Sequence, residues 1–204
     1  MKKYFFFLII LTHSISAQYT NINIIKEIHT KDKGMVVCAH PLASEAGAKI
    51  LKMGGNAFDA TIATQFALAV VYPQAGNIGG GGFLIGYTNK GEKIALDYRE
   101  TAPKKASKDM YLDKNGNANT DLSQNGRLAV GIPGSVSGMY FTHQKYGKLP
   151  ISVLIQPAID LAEKGFAVTE REANLLNATK EDFLKHNSHQ TAFTKENPWK
   201  QGDI

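Results

Sequence analysis

At 204 residues, with 43% hydrophobic and 20% charged positions, the chain can build one full-sized core and has the composition of an ordinary globular protein, which argues against disorder. Its formal charge of +5 falls to +3 if Lys2 and Lys3 leave with an N-terminal leader. The other basic residues are scattered, densest at Lys104, Lys105 and Lys108, with no aromatic side chains between them, so nothing resembles a nucleic-acid footprint.

Residues 1–17 have a short positive start, an apolar run Tyr4–Leu11, and small residues Ser14, Ser16 and Ala17 where a peptidase would cut. This predicts a signal peptide and export to a periplasm or to the outside. An uncleaved anchor is the alternative, although the run is short for a bilayer. No other stretch could span, so no membrane association is expected after leader cleavage. Residues 18–33 are polar and mixed in charge and read as a tether.

Met35–Ala39 is an apolar run that predicts a first strand, with the lone cysteine, Cys38, as a buried thiol. From Leu42 the positions Ala43, Ala46, Gly47, Ile50 and Leu51 recur at helical spacing, and Gly54-Gly55 stops that helix. Asn56 is a cap for a second helix, Ala57 to about Tyr72, whose nearly continuous apolar character predicts burial on most sides. Pro73 closes it.

Asn77-Ile78-Gly79-Gly80-Gly81-Gly82 follows, a run nearly without side chains that backbone or ligand can approach closely. Phe83–Tyr87 and Lys93–Tyr98 then read as two strands joined through Asn89-Lys90-Gly91. The second strand delivers Arg99 at its end. In an extended chain Asp97 and Arg99 share one face, roughly 7 Å apart, while Tyr98 and Glu100 share the other.

Residues 104–125 are polar, with an exposed turn at Asp113–Asn117. Leu128–Ile132 predicts a short strand, and Pro133-Gly134-Ser135 turns it into a helix that stops at Gly147, with Ser135 as its cap. A further helix spans Ile151–Lys164, where Pro157 should impose a kink costing about 3 kcal/mol unless it is packed. Thr169-Glu170-Arg171-Glu172 is a capping box for a last helix to about His186, and the tail to Ile204 is polar apart from Trp199. Apolar helices with only about four plausible strands imply a layered α+β fold that looks unfinished at Ile204.

Candidate chemistry is sparse. The glycine run leads into a strand with no Lys-Ser or Lys-Thr after it, so a phosphate loop is excluded; it is either a structural turn or the border of a pocket. Arg99 either pairs with Asp97 or Glu100, or offers its planar fork to a substrate carboxylate. The six histidines show no metal spacing, and no metal or cofactor is expected. Gly134-Ser135-Val136-Ser137-Gly138 is not a GxSxG nucleophile elbow, and no residue is a convincing nucleophile.

Four ordered stretches carry a resemblance: Gly54–Ala60, Pro73–Phe83, Asp97–Pro103 and Gly131–Gly138. Their sequences, order and spacing resemble the large-subunit signatures of the gamma-glutamyltransferase (glutathione hydrolase) family. The likeness continues through Tyr146-Gly147, Gln156-Pro157-Ala158 and Gly165-Phe166. It implies the N-terminal part of the large subunit of an N-terminal-nucleophile hydrolase, an incomplete αββα sandwich over residues 34–204. It also implies a proenzyme that cuts itself, so that a new N-terminal threonine of the small subunit attacks the gamma-glutamyl carbonyl with its own amine as base. The partners implied are a gamma-glutamyl compound such as glutathione, an acceptor amino acid, peptide or water, and the small subunit of the same precursor. By the same resemblance Arg99 grips the α-carboxylate of the donor, Asp97 and Glu100 orient it, and Gly79, Gly80, Gly81 and Gly82 support the pocket. No nucleophile is expected in this chain, and Thr101 is no substitute, since nothing frees its amine. Rival readings are a related acylase acting on cephalosporins or poly-glutamate, and a noncatalytic glutamate- or peptide-binding module.

Overall fold

The computed structural model describes residues 34–204. The signal peptide expected over 1–17 and the tether expected over 18–33 lie outside the described residues.

Helix α2 (Ala57–Val71) organises the rest, packing against α1 (Pro41–Lys52), α4 (Ser135–Tyr146) and α5 (Ile151–Lys164). Its apolar surface is shared between two neighbourhoods. Ile62 and Ala63 meet Ile50, Met139 and Leu154, while Ala67 and Val71 meet Ala43 and Ala46. A helix committed to several neighbours has no polar side to keep, which is why its sequence lacks a clear apolar stripe.

The start of α2 is fixed by hydrogen bonds rather than by propensity. Asn56 Oδ1 accepts from the N–H groups of Phe58 and Asp59, and Asp59 Oδ2 accepts from the Asn56 N–H, closing a capping box. Asp59 is fully buried, and its carboxylate also accepts from the N–H groups of Lys148 and Leu149 in the turn between α4 and α5. Asn56 Nδ2 donates to the Tyr146 carbonyl at 2.6 Å. One short motif thus caps its own helix and ties down a turn some ninety residues away. Asp59→Asn should therefore cost about 2 kcal/mol, because an amide NH2 would face backbone donors that now meet an oxygen. Thermal unfolding checks this: a fall of roughly 4–8 °C is expected, and a shift below about 1 °C would show that the turn does not depend on this carboxylate.

The hairpin is formed by β1 (Phe83–Tyr87) and β2 (Lys93–Asp97), paired antiparallel with Phe83 opposite Asp97 and Tyr87 opposite Lys93. Gly91 at φ +84° makes the turn, where the Thr88 hydroxyl accepts from the N–H groups of Lys90 and Glu92. Ile94 is buried, and Phe58 of α2 lies against Gly86 while stacking on Tyr146 at 4.7 Å. The alternate positions Phe83, Ile85, Tyr87, Lys93, Ala95 and Asp97 are exposed, so one face of the hairpin meets helices and the other is open among the described residues.

Two expected strands are absent. Met35–Ala39 joins no strand; Val36 packs against Gly47, and the Cys38 thiol is only half-buried, donating to the His40 carbonyl. Leu128–Ile132 gives a 3-10 turn at Arg127–Ala129 after the short α3 (Thr120–Gln124), and a single antiparallel bridge between Ile132 and Thr101. Apolar β-branched runs become strands only where a neighbour offers a ladder, and no described strand lies beside either. The expected last helix divides at Thr179 into α6 (Glu170–Ala178) and α7 (Lys180–His186), where the Thr179 hydroxyl bonds back to the Leu175 carbonyl. The capping box of Thr169 and Glu172 is present. Pro157 is itself buried, and α5 continues through it.

The tail is better ordered than its polarity suggests. Trp199 N–H donates to Asn177 Oδ1 at 2.7 Å, Val168 N–H donates to the Asp203 carbonyl, and Lys195 pairs with the Asp203 carboxylate. That ion pair, together with the Lys200 N–H, holds the Asp203 carboxyl below its usual range.

Candidate functional site

Three of the four stretches singled out in the sequence meet in space. The Gly80 carbonyl accepts from the N–H groups of Gly134 and Ser135 at 2.9 and 3.0 Å, so the glycine loop sits on the start of α4. Gly134, not Ser135, is the N-cap of that helix, and Ser135 is its buried first residue. The expectation of a serine cap fails because a carbonyl from another segment already meets the first N–H groups. Thr101 and Ile132 exchange two backbone bonds of 3.1 and 2.8 Å, which fastens the segment after β2 to the segment before α4.

Tyr98 explains three of the glycines, Gly82, Gly134 and Gly138. Its N–H donates to the Gly82 carbonyl at 3.0 Å, extending the pairing one residue past β2. Its ring lies between Gly82 and Gly138, where a Cβ on either residue would press into it, and a Cβ on Gly134 would overlap the Tyr98 carbonyl. Burial there pushes the Tyr98 hydroxyl up from its ordinary pKa. With Tyr98 turned in toward α4, strand alternation turns Asp97 and Arg99 to the open face.

Arg99 is exposed at that open face, and its guanidinium lies over the Phe83 ring with Cζ 5.7 Å from the centroid. Among the described residues it forms no ion pair. Asp97, exposed as well, uses Oδ1 to accept the Arg99 backbone N–H at 2.9 Å, shaping the turn rather than neutralising the cation. Glu100 folds its carboxylate back along Gly80 and Gly81. Gly81 has the Arg99 Cα and the Glu100 N–H where its own side chain would be, and Gly79 stands freer, with only Asn77 near. The glycine run thus packs closely, Gly81 against the backbone of Arg99 and Glu100, Gly80 against the Asn77 and Glu100 side chains and Gly82 against the Tyr98 ring.

A hollow of about 320 Å³ opens beside Arg99, between the end of β2 and α4, walled by Asp97, Tyr98, Thr101, Pro133, Ser137 and Phe141. Arg99 and Asp97 both border this recess, whose lining is otherwise largely apolar, and the exposed guanidinium keeps a planar fork of donors suited to a ligand carboxylate. A larger apolar cavity of about 420 Å³ lies elsewhere, lined by Tyr72, Leu161, Phe166, Leu175, Phe193 and Trp199. Its one carboxylate, Glu172, is engaged by Thr169 and stands 3.1 Å from His40 Nε2, off the axis of a good hydrogen bond. Among the described residues no histidine bonds a serine or threonine hydroxyl, and no cluster of three or more metal-ligating side chains forms.

The sequence reading missed Phe83, Tyr98, Gly134 and Gly138 as parts of this neighbourhood. The hairpin register alone would have set Phe83 near Arg99. Gly134 and Gly138, one helical turn apart, signalled a close approach to α4.

A family model described as gamma-glutamyltranspeptidase matches residues 43–204. A glutathione hydrolase proenzyme of Pseudomonas sp. strain A14 is 43% identical over 206 residues, covering 100% of this chain and 36% of that protein. The glutathione hydrolase proenzyme of Escherichia coli K12 is 43% identical over 173 residues, 84% of this chain and 30% of its own length. The crystal structure of Helicobacter pylori gamma-glutamyltranspeptidase superposes with a TM-score of 0.82 at 50% identity, covering 87% of this chain and 51% of that one. The chain therefore spans about a third of the length of these curated relatives.

Proposed function

The chain belongs to the gamma-glutamyltranspeptidase family, and on that premise we propose that the full protein cleaves gamma-glutamyl amides such as glutathione. The glutamyl group passes to water or to an amino acid or peptide. The fold is the N-terminal-nucleophile hydrolase sandwich in part: helices and one hairpin of the large-subunit portion. In this reading Arg99 takes the α-carboxylate of the donor, with Asp97 setting the turn that presents it, and the small subunit of the same precursor supplies the nucleophile.

The observation that carries this is a guanidinium with no described carboxylate on it, exposed beside a recess at the end of β2. A planar fork can receive both oxygens of a carboxylate at once, which fixes the orientation of the donor as well as its position. With its α-carboxylate anchored, the donor's γ-carbonyl is held several bonds away at a fixed reach, where a nucleophile from the other subunit attacks it. The tetrahedral adduct expels the amine, the acyl-enzyme remains, and water or an acceptor amine releases the glutamate. Residues 1–17 support export of the precursor to a periplasm or to the outside.

The test is to express the full-length precursor, follow its conversion into two fragments, and assay it side by side on glutathione and on a cephalosporin side-chain amide. Release of glutamate with little action on the cephalosporin is expected. Cleavage of the cephalosporin alone would make it an acylase, and intact precursor with no activity on either would leave a binding module.

A further inference from the structure

The register of the hairpin places three residues on one face at its open end. Phe83 stands opposite Asp97, and the Tyr98 N–H bond to Gly82 puts Arg99 opposite Gly81. Gly81 offers no side chain to Arg99, so the long arginine reaches its diagonal neighbour instead, and the guanidinium comes to rest over the Phe83 ring at 5.7 Å. Asp97, on the same face, spends an oxygen on the Arg99 backbone, and Glu100 is turned back along the glycine loop.

From this geometry we infer that Phe83 is a positioning residue for Arg99. A carboxylate could orient the guanidinium too, but it would occupy the N–H fork that a substrate carboxylate needs. An aromatic face attracts the cation through its quadrupole and leaves those donors unengaged. Phe83 is 62% exposed, so among the described residues its ring contributes little to the core. Ile85 and Tyr87 share that exposed face, and it is Phe83 that lies under the guanidinium. The inference rests on Arg99 being the carboxylate ligand proposed above, and the experiment separates the two.

The full-length precursor would be prepared with Phe83→Leu, Phe83→Tyr, Phe83→Trp and, as a reference, Arg99→Lys, and KM and kcat measured for a gamma-glutamyl amide. Leucine keeps apolar bulk and removes the π face; KM should rise about 3–10-fold with kcat within about twofold. Tyrosine and tryptophan restore a ring, so KM should stay within about twofold of wild type or fall. Wild-type KM in Phe83→Leu, with Arg99→Lys impaired, overturns the positioning role alone. Equal losses in Phe83→Leu, Phe83→Tyr and Phe83→Trp also overturn it, since shape rather than the ring would then matter. Unchanged KM in Arg99→Lys removes the underlying reading of the site.

Discussion

Arg99→Ala in the full-length precursor is expected to lower kcat/KM for a gamma-glutamyl donor about 100–1000-fold, a loss of roughly 3–4 kcal/mol of binding to the carboxylate. Most of the loss should fall on KM, because the α-carboxylate is remote from the bond that breaks and is held in ground state and transition state alike. The fold should tolerate the change. Arg99 is exposed, forms no described ion pair, and touches the hairpin through the Phe83 ring, so thermal unfolding should shift by less than about 2 °C. A variant that loses activity together with several times that much stability would place Arg99 in the scaffold instead. Arg99→Lys should fall between, with KM raised about tenfold, since an ammonium keeps the charge and loses the two-point geometry.

Gly134→Ala should be the most damaging single methyl group in the chain. A Cβ there would overlap the Tyr98 carbonyl oxygen and stand 3.0 Å from the Arg99 carbonyl oxygen, so the obstacles are backbone and cannot rotate away. The segment that would have to move is fixed on both sides, by Tyr98 N–H on the Gly82 carbonyl and by the two bonds between Thr101 and Ile132. The expected cost is about 3–5 kcal/mol. Ser137→Ala, on the exposed side of the same helix, should cost less than about 0.5 kcal/mol and serves as the control. Urea unfolding of both variants measures the difference; equal midpoints would mean that the α4 start is not pressed against the arginine-bearing segment.

How far the sequence could be read depended on whether a feature was local. The Asn56 cap, the turn at Gly91 and the capping box of Thr169 and Glu172 were legible because each is closed within a few residues. The facing of Asp97 and Arg99 was legible because alternation in a strand is fixed by the backbone. The contact between Arg99 and Phe83 was not, since it depends on the pairing register of the two strands, which neither strand's own pattern fixes. Tyr98 seated against Gly134 and Gly138 was hidden for a similar reason: Gly134 reads as part of a turn and Gly138 as an ordinary helix position until the segment carrying Tyr98 lies across them. Met35–Ala39 and Leu128–Ile132 were misread in the opposite sense, because apolar runs look like strands whether or not a partner exists. Closure of the tail depends on Trp199 meeting Asn177, 22 residues earlier, which no local pattern announces.

The most direct test of the central claim is a two-by-two comparison: wild type and Arg99→Ala, each assayed with a gamma-glutamyl amide and with the same amide lacking its α-carboxylate. If the guanidinium binds that carboxylate, wild type should prefer the complete donor by at least about 100-fold and Arg99→Ala by less than about threefold, because the two deletions remove one interaction. A variant that still discriminates as well as wild type would show that the carboxylate is held elsewhere, and Arg99 would leave the site.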